Sequence, residues 1–179
     1  HPTRFVETHT MVHDYVIEQV RSTRGREQFQ WLYSLMFLHR NNPTWQTFAP
    51  MEQHGHEYLD APVADEPSQF IDIVQRHEGP RSAEIADRWL RMQPENLKIL
   101  RDVHGELSGV IFGVELGGLR RDDVAFDPLA VSIFDMMARH GPLRPGDEAL
   151  CARFAMGRDQ YRTPTLRLTF SIVGSSMMY

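Results

Sequence analysis

Residues 97–116 read LKILRDVHGELSGVIFGVEL, and this stretch decides the fold class. Two apolar runs, Leu97–Arg101 and Leu107–Leu116, flank the segment Asp102–Glu106, which contains one glycine. Apolar runs separated by a short Gly-containing loop predict a β-hairpin. Because helical patterns precede and follow the hairpin, the chain is predicted to be α+β.

Helical patterns fill the first third of the chain. Apolar residues at Phe29, Leu32, Tyr33, Met36 and Phe37 follow the i, i+3, i+4, i+7, i+8 spacing of an amphipathic helix. We therefore predict a helical segment over residues 1–56, with a helix–helix turn at Arg24-Gly25 and a short third helix over Trp45–Gln53. The domain boundary is expected near residue 56.

After residue 57 the predicted strands and helices alternate. We expect a strand over Tyr58–Val63, a helix after Asp65, a helix capped by Ser82, the hairpin, a helix from Asp127-Pro128, a strand over Glu148–Met156 and a last helix from Thr163-Pro164. Residues 57–179 are thus predicted to form a mixed, largely antiparallel sheet flanked by helices.

Composition narrows the possible partners. The chain has 179 residues with 41% hydrophobic and 24% charged residues, which is typical of globular proteins. Its net charge is −5 and no basic block occurs, so nucleic acid is not favoured as a partner. No apolar run reaches the length of roughly 18 residues that a membrane span needs. The lone Cys151 rules out an intrachain disulfide, and we expect a cytoplasmic location.

A family resemblance is carried by four segments: FLHR at 37–40, IVQRHEGPRSAEIADRWLRMQPE at 73–95, LRDVHGELSG at 100–109 and FDPLAVSIFDMMARHGPLRPGDEALCARF at 126–154. Together they resemble the C-terminal region of large bacterial STAND/AAA-type ATP-binding proteins, in which a GNAT-like (acyl-CoA N-acyltransferase-like) domain follows the ATPase. The resemblance implies that residues 1–56 end the helical region behind an ATPase and that 57–179 are a GNAT-like domain truncated at its C-terminal end. No Walker loop occurs in this chain.

The GNAT resemblance implies an acetyl-CoA site at the end of the last strand. In that fold, backbone N–H groups and a helix N-terminus hold the pyrophosphate, and glycines allow the backbone to approach it. Here residues 153–165 contain only Gly157, and Asp159 adds negative charge. The implied cofactor-binding residues are Phe154, Met156, Gly157, Arg158 and Arg162. Acetyl-CoA is thus a possible cofactor, and we expect it to bind weakly or not at all.

The resemblance also suggests two catalytic residues, Glu115 as a base acting through water and Tyr161 as a general acid. For Glu115, a solvent-facing position at the end of a strand is the favoured interpretation. His9 and His13 are four residues apart on a predicted helix, but no third ligand is evident nearby, so we expect no metal site.

Three functions stay open at this stage. The chain is either a regulatory or sensor module with little or no catalysis, an active acyl-CoA-dependent N-acetyltransferase domain, or a purely structural interaction domain. The apolar residues Leu166, Phe170, Val173 and Met177 of the last predicted helix suggest self-association or docking to the rest of a larger protein.

Overall fold

The computed structural model describes residues 2–39, 57–141 and 149–162. Two helices come first, α1 (Pro2–Ser22) and α2 (Gly25–Leu38). The turn between them depends on Gly25, whose φ of 58° lies in the left-handed region that glycine adopts without a steric penalty. The predicted helix–helix turn at Arg24-Gly25 is confirmed.

The remaining elements alternate as the sequence predicts. They are β1 (Tyr58–Asp60), α3 (Glu66–Glu78), α4 (Pro80–Met92), a 3-10 turn (Pro94–Asn96), β2 (Leu97–Arg101), β3 (Leu107–Glu115), α5 (Pro128–His140) and β4 (Leu150–Gly157). Asp127 caps α5 by accepting a hydrogen bond from the backbone N–H of Leu129 at 3.1 Å, and Pro128 occupies the first helical position.

The four strands form one open antiparallel sheet in the order β1-β2-β3-β4. Tyr58 lies opposite Arg101 in the antiparallel β1–β2 pair. The β2–β3 turn is closed by the backbone bond from Asp102 N–H to the Glu106 carbonyl, 2.9 Å, and Gly105 has a φ of 84°. These findings confirm the α+β class and the predicted hairpin.

The chain divides into two compact units. The first unit comprises residues 1–61, 99–109 and 157–179, and its described part contains α1, α2, β1 and the tip of the hairpin. Arg101 is buried there and donates to the Asp60 carboxylate at 3.0 Å and to the Ala61 carbonyl at 3.2 Å. Among the described residues of this unit, the buried apolar side chains are Val16, Val20, Met36, Ile99, Leu100 and Leu107.

The second unit comprises residues 62–98 and 110–156 and contains α3, α4 and α5. Its core centres on Phe70, which stacks on Phe112 with ring centroids 5.5 Å apart and meets Phe154 edge-on at 5.8 Å. Burial of each such aromatic side chain contributes roughly 1.5–3 kcal/mol. The other fully buried large side chains of this unit are Trp89, Leu97, Met156, Val74, Val110 and Val114.

Several element boundaries differ from the prediction, two of them for reasons that the structure shows. β1 ends at Asp60 instead of continuing to Val63, because the N–H groups of Ala61 and Val63 donate to the carboxylates of Asp60 and Glu66, at 2.9 and 2.7 Å. The prediction that Ser82 caps the next helix was wrong.

Helix α4 already begins at Pro80. Its N-cap is Gly79, whose φ of 87° lets the chain turn sharply between α3 and α4. The predicted third helix over Trp45–Gln53, the boundary near residue 56, the helix from Thr163 and its apolar stripe all lie outside the described residues.

Candidate functional site

The predicted cofactor-binding residues follow one another along β4 and the segment after it. Phe154 and Met156 have buried side chains on β4, and Gly157 ends the strand. Arg158, Tyr161 and Arg162 follow with exposed side chains. A ligand bound at the end of β4 would therefore contact the backbone of the strand, because the side chains of Phe154 and Met156 are buried. After the strand it would contact the exposed side chains.

The backbone N–H of Arg158 is committed to the sheet. It donates to the carbonyl of Ser108 on β3 at 2.8 Å. A backbone N–H is one donor, so this group cannot also point at a phosphate oxygen while the bond is intact. One of the amides that a pyrophosphate cradle would use at this position is thus already occupied.

Two backbone hydrogen bonds join β3 and β4, one near each end of the pair, and between these bonds β4 has one residue more than β3. The N–H of Leu116 donates to the Ala149 carbonyl at 2.8 Å, and the N–H of Arg158 donates to the Ser108 carbonyl at 2.8 Å. These bonds enclose eight steps along β3 (108 to 116) and nine along β4 (149 to 158). An extra residue on one strand of an antiparallel pair is a β-bulge, which bends the strand and changes where its side chains point.

Glu115 lies at the end of β3 with its side chain exposed. Its backbone is held by the side chain of Gln93, which donates to the Glu115 carbonyl at 2.8 Å and accepts from the Glu115 N–H at 3.0 Å. Gln93 thus pairs with the backbone of Glu115 much as a neighbouring strand would. The residue is fixed in place, whereas its carboxylate extends into solvent.

The predicted site residues fall into two groups. Glu115, Phe154 and Met156 belong to the second compact unit, and Gly157, Arg158, Tyr161 and Arg162 belong to the first. The second group is exposed except for Gly157. The roles assigned to Glu115 and Tyr161 stay predictions.

A buried polar cluster of the second unit surrounds Asp127, whose side chain is fully buried. Its Oδ2 accepts from Trp89 Nε1 at 2.8 Å and from Arg153 Nε at 2.7 Å. Its Oδ1 caps α5 through the N–H of Leu129. One carboxylate therefore joins α4, α5 and β4. We call these four residues the Asp127 cluster.

Aromatic rings surround the Asp127 cluster. Trp89 packs against Phe126 with ring centroids 5.0 Å apart, and the guanidinium of Arg88 lies 4.1 Å from the centre of the Phe126 ring. The guanidinium of Arg153 lies 4.2 Å from the centre of the Phe154 ring. Cations over aromatic faces gain about 0.5–2 kcal/mol.

Cys151 lies two residues before Arg153 on β4 and is half-buried. Burial raises the pKa of its thiol, and the nearby Asp127 carboxylate raises this pKa further, while Arg153 opposes both. The thiol is therefore protonated at neutral pH and poorly nucleophilic. This environment favours the interpretation of Cys151 as an inert residue.

Only the helix start at Asp127-Pro128 and the arginine in the next strand pointed to the Asp127 cluster in advance. Trp89 is 38 residues before Asp127 and Arg153 is 26 residues after it. Trp89 fits an apolar helix face, and Arg153 interrupts an otherwise apolar strand pattern. An arginine in an otherwise apolar strand is a signal, because a cation that is largely buried needs a partner.

A second cluster links α1 to α2 in the first unit. The rings of His13 and His39 are 5.3 Å apart between centroids and nearly perpendicular, at 86°. His13 Nδ1 lies 3.2 Å from the Asp14 carboxylate. The i, i+4 spacing in the sequence pairs His9 with His13 but does not indicate His39, because that contact depends on how α2 folds back onto α1. Across residues 2–39, 57–141 and 149–162, no three His, Cys, Asp or Glu side chains are grouped to hold a metal ion.

Comparisons of the chain with protein-family models, with curated proteins and with solved structures gave no match. Within the described parts of the chain, no helix combines the length and the apolar character needed to cross a membrane.

Proposed function

We propose that this chain is a GNAT-like module that binds acetyl-CoA weakly or not at all and acts as a regulatory or sensor part of a larger bacterial STAND-type ATP-binding protein. The observation that carries the proposal is the end of β4. β4 comes at the point in the chain order where the GNAT resemblance expects the cofactor-binding strand, and the Arg158 N–H beyond it is bonded to Ser108.

The architecture supports the GNAT-like part of the proposal. Two helices, α3 and α4, connect β1 to β2, and the four strands lie in chain order in one antiparallel sheet. The GNAT resemblance implies this order, with an inserted helix between the last two strands. The bulge in β4 adds to the argument, since bulges are frequent beside functional sites.

The chemistry of the segment after β4 supports weak binding. A phosphate cradle derives its affinity from several backbone N–H groups that converge on one anion. Here one of those groups is bonded within the sheet, and the exposed Asp159 lies between two arginines. The remaining contacts to a pyrophosphate would come from the side chains of Arg158 and Arg162, which are exposed, so solvent and salt weaken the attraction.

The assignment to a larger ATP-binding protein rests on the four sequence segments given above. We propose no acceptor substrate, because the predicted base, Glu115, has an exposed side chain. Catalysis would need a base and an oxyanion donor held together in a water-excluded site.

An active N-acetyltransferase domain is the second candidate, and the bulged β4 favours it. Among the described residues no strand pairs with β4 on the side away from β3. Backbone groups on that side could bind the extended arm of a coenzyme as an additional strand. In that case Arg158 and Arg162 would provide the phosphate contacts.

Calorimetric titration of the chain with acetyl-CoA tests the proposal. We expect no saturable heat at micromolar concentrations. The matched variants are Arg158→Ala and Arg162→Ala, with Arg139→Ala on α5 as the control because its side chain is also exposed.

A dissociation constant of micromolar or tighter, about −8 kcal/mol, would support the transferase instead. It would do so if Arg158→Ala or Arg162→Ala abolished binding and Arg139→Ala did not. A weak signal that all three variants reduce equally would reflect non-specific charge attraction and would leave the proposed module intact.

A further inference from the structure

We propose that one apolar face of α1 and α2 is an interface between two copies of this chain, which pair through identical surfaces into a dimer. The residues of this α1–α2 face are Met11, Val12, Tyr15, Trp31, Phe37 and Leu38. The inference goes beyond the proposed function, because it needs neither a coenzyme nor an ATPase domain. It concerns only helices of the first compact unit.

The α1–α2 face is continuous across the two helices. On α1, Tyr15 comes four residues after Met11 and three after Val12, so the three side chains are neighbours on the helix surface. The ring of Tyr15 meets Trp31 of α2 edge-on, with ring centroids 5.7 Å apart. Leu38 comes two helical turns after Trp31 and shares its side of α2. One apolar surface therefore spans both helices.

The α1–α2 face combines a groove with exposed side chains beside it. The groove has a volume of about 410 Å³ and is lined by Val12, Val16, Tyr33, Ser34, Phe37 and Leu38. Next to it on α1, Met11 and Tyr15 are 66% and 56% exposed. A surface with large apolar side chains beside an apolar groove can pair with its own copy about a two-fold axis, because each copy then places its side chains in the groove of the other.

The exposed apolar area of the α1–α2 face is close to what a dimer needs. Phe37 is 52% exposed and Val12 is 36% exposed. An aromatic side chain covers roughly 150–250 Å², so Tyr15 and Phe37 expose about 200 Å² together, and Met11 and Val12 raise this to about 350 Å². A standard interface buries about 800 Å² per partner, of which about 450 Å² is apolar. The half-buried side chains of the face provide the remainder.

Charged residues border the α1–α2 face. Glu7, Asp14 and Glu18 of α1 have exposed side chains, and they lie on the side of the helix next to Met11. An apolar centre with a polar border is the composition of interfaces between separately folded proteins. Because both copies carry these acids, the association is best measured in salt that screens their repulsion.

Sedimentation equilibrium of the whole chain tests the interface, at protein concentrations from about 1 µM to about 300 µM and in about 0.15 M salt. We expect a monomer–dimer equilibrium with a dissociation constant of roughly 1–100 µM, because the interface is no larger than the standard size. Met11→Lys places a charge in the face of both copies and should raise this constant by about tenfold or more. The control is Met136→Lys on α5, where the methionine is 48% exposed, and it should leave the constant unchanged.

A chain that stays monomeric over the whole concentration range would overturn the proposal, since the face would then bind a different partner or an apolar ligand. Association that Met11→Lys leaves unchanged would overturn it too, because the contact would lie elsewhere. An equal loss in Met136→Lys, or growth into species larger than a dimer, would also contradict a closed pair through this face.

Met11→Ala decides the question if circular dichroism shows that Met11→Lys loses helicity. Alanine has the highest helix propensity, so this variant keeps α1 while it removes apolar area from both copies of the interface. We expect its dissociation constant to rise by about threefold or more. A constant equal to that of the unmodified chain would refute the interface.

Discussion

Replacing Asp127 by alanine should be among the most damaging single changes in the second unit. The carboxylate is fully buried and accepts three hydrogen bonds, from Trp89, Arg153 and the Leu129 N–H. Its removal leaves the guanidinium of Arg153, only 13% exposed, without a counter-charge. Breaking a buried ion pair from one side costs about 3–5 kcal/mol, and loss of a helix cap costs about 1 kcal/mol.

These losses overlap, so we expect Asp127→Ala to lower the free energy of unfolding by about 4 kcal/mol. Because domains of this size are stable by roughly 5–15 kcal/mol, the variant should be close to unfolding. Urea denaturation followed by circular dichroism measures the change. Asp127→Asn should cost less, since its amide oxygen can still cap α5.

A double-mutant cycle separates the ion pair from the cap. Arg153→Met removes the cation, and the double variant Asp127→Ala/Arg153→Met should be less destabilised than the two single losses together. Asp135→Ala is the control, because it breaks an exposed pair with Arg121 and should have little effect. Strict additivity in the cycle, or a loss in Asp127→Ala no greater than in Asp135→Ala, would refute the reasoning.

Two further changes test the turn between α3 and α4 and the environment of the single cysteine. Gly79→Ala should destabilise the protein by about 1–3 kcal/mol, because its φ of 87° and ψ of 175° are restricted to glycine. The control is Gly117→Ala, which should have little effect because Gly117 has no positive φ and no close neighbour. Thermal melting compares the two variants, and equal melting temperatures would contradict the predicted strain at Gly79. Iodoacetamide should alkylate Cys151 more slowly at pH 8 in the folded chain than in urea, because burial raises the thiol pKa and leaves less thiolate, and the folded rate should rise above pH 9. Mass spectrometry measures this rate, and faster alkylation of the folded chain at pH 7 would show that the thiolate is stabilised instead.

Much of the fold follows from short-range patterns. The hairpin over residues 97–116, the Gly25 turn and the Asp127-Pro128 helix start were predicted because each depends on neighbouring residues. The end of β1 was missed, since it depends on which N–H groups the carboxylates of Asp60 and Glu66 capture. The start of α4 was placed at Ser82 instead of Pro80, because Ser is a common N-cap and the positive φ of Gly79 is not visible in the sequence.

The candidate site was predictable only along the strand that carries it. The position of β4 follows from its apolar pattern, so the order from Phe154 to Arg162 could be given in advance. The bond from the Arg158 N–H to Ser108 could not, because it depends on the pairing of strands 50 residues apart. The same limitation hid Arg153 as the partner of Asp127 and His39 as the partner of His13. Long-range contacts between polar groups leave no periodic signal in a sequence.

The central claim, that the backbone after β4 does not form a pyrophosphate cradle, is tested most directly by nuclear magnetic resonance. Titration of the ¹⁵N-labelled chain with acetyl-CoA reports on each backbone N–H between Gly157 and Arg162. We predict that the Arg158 amide keeps its shift and stays protected from exchange, because it remains bonded to Ser108. Saturable shifts of the Arg158 and Gly157 amides at micromolar acetyl-CoA, with loss of that protection, would contradict the claim and identify a working coenzyme site.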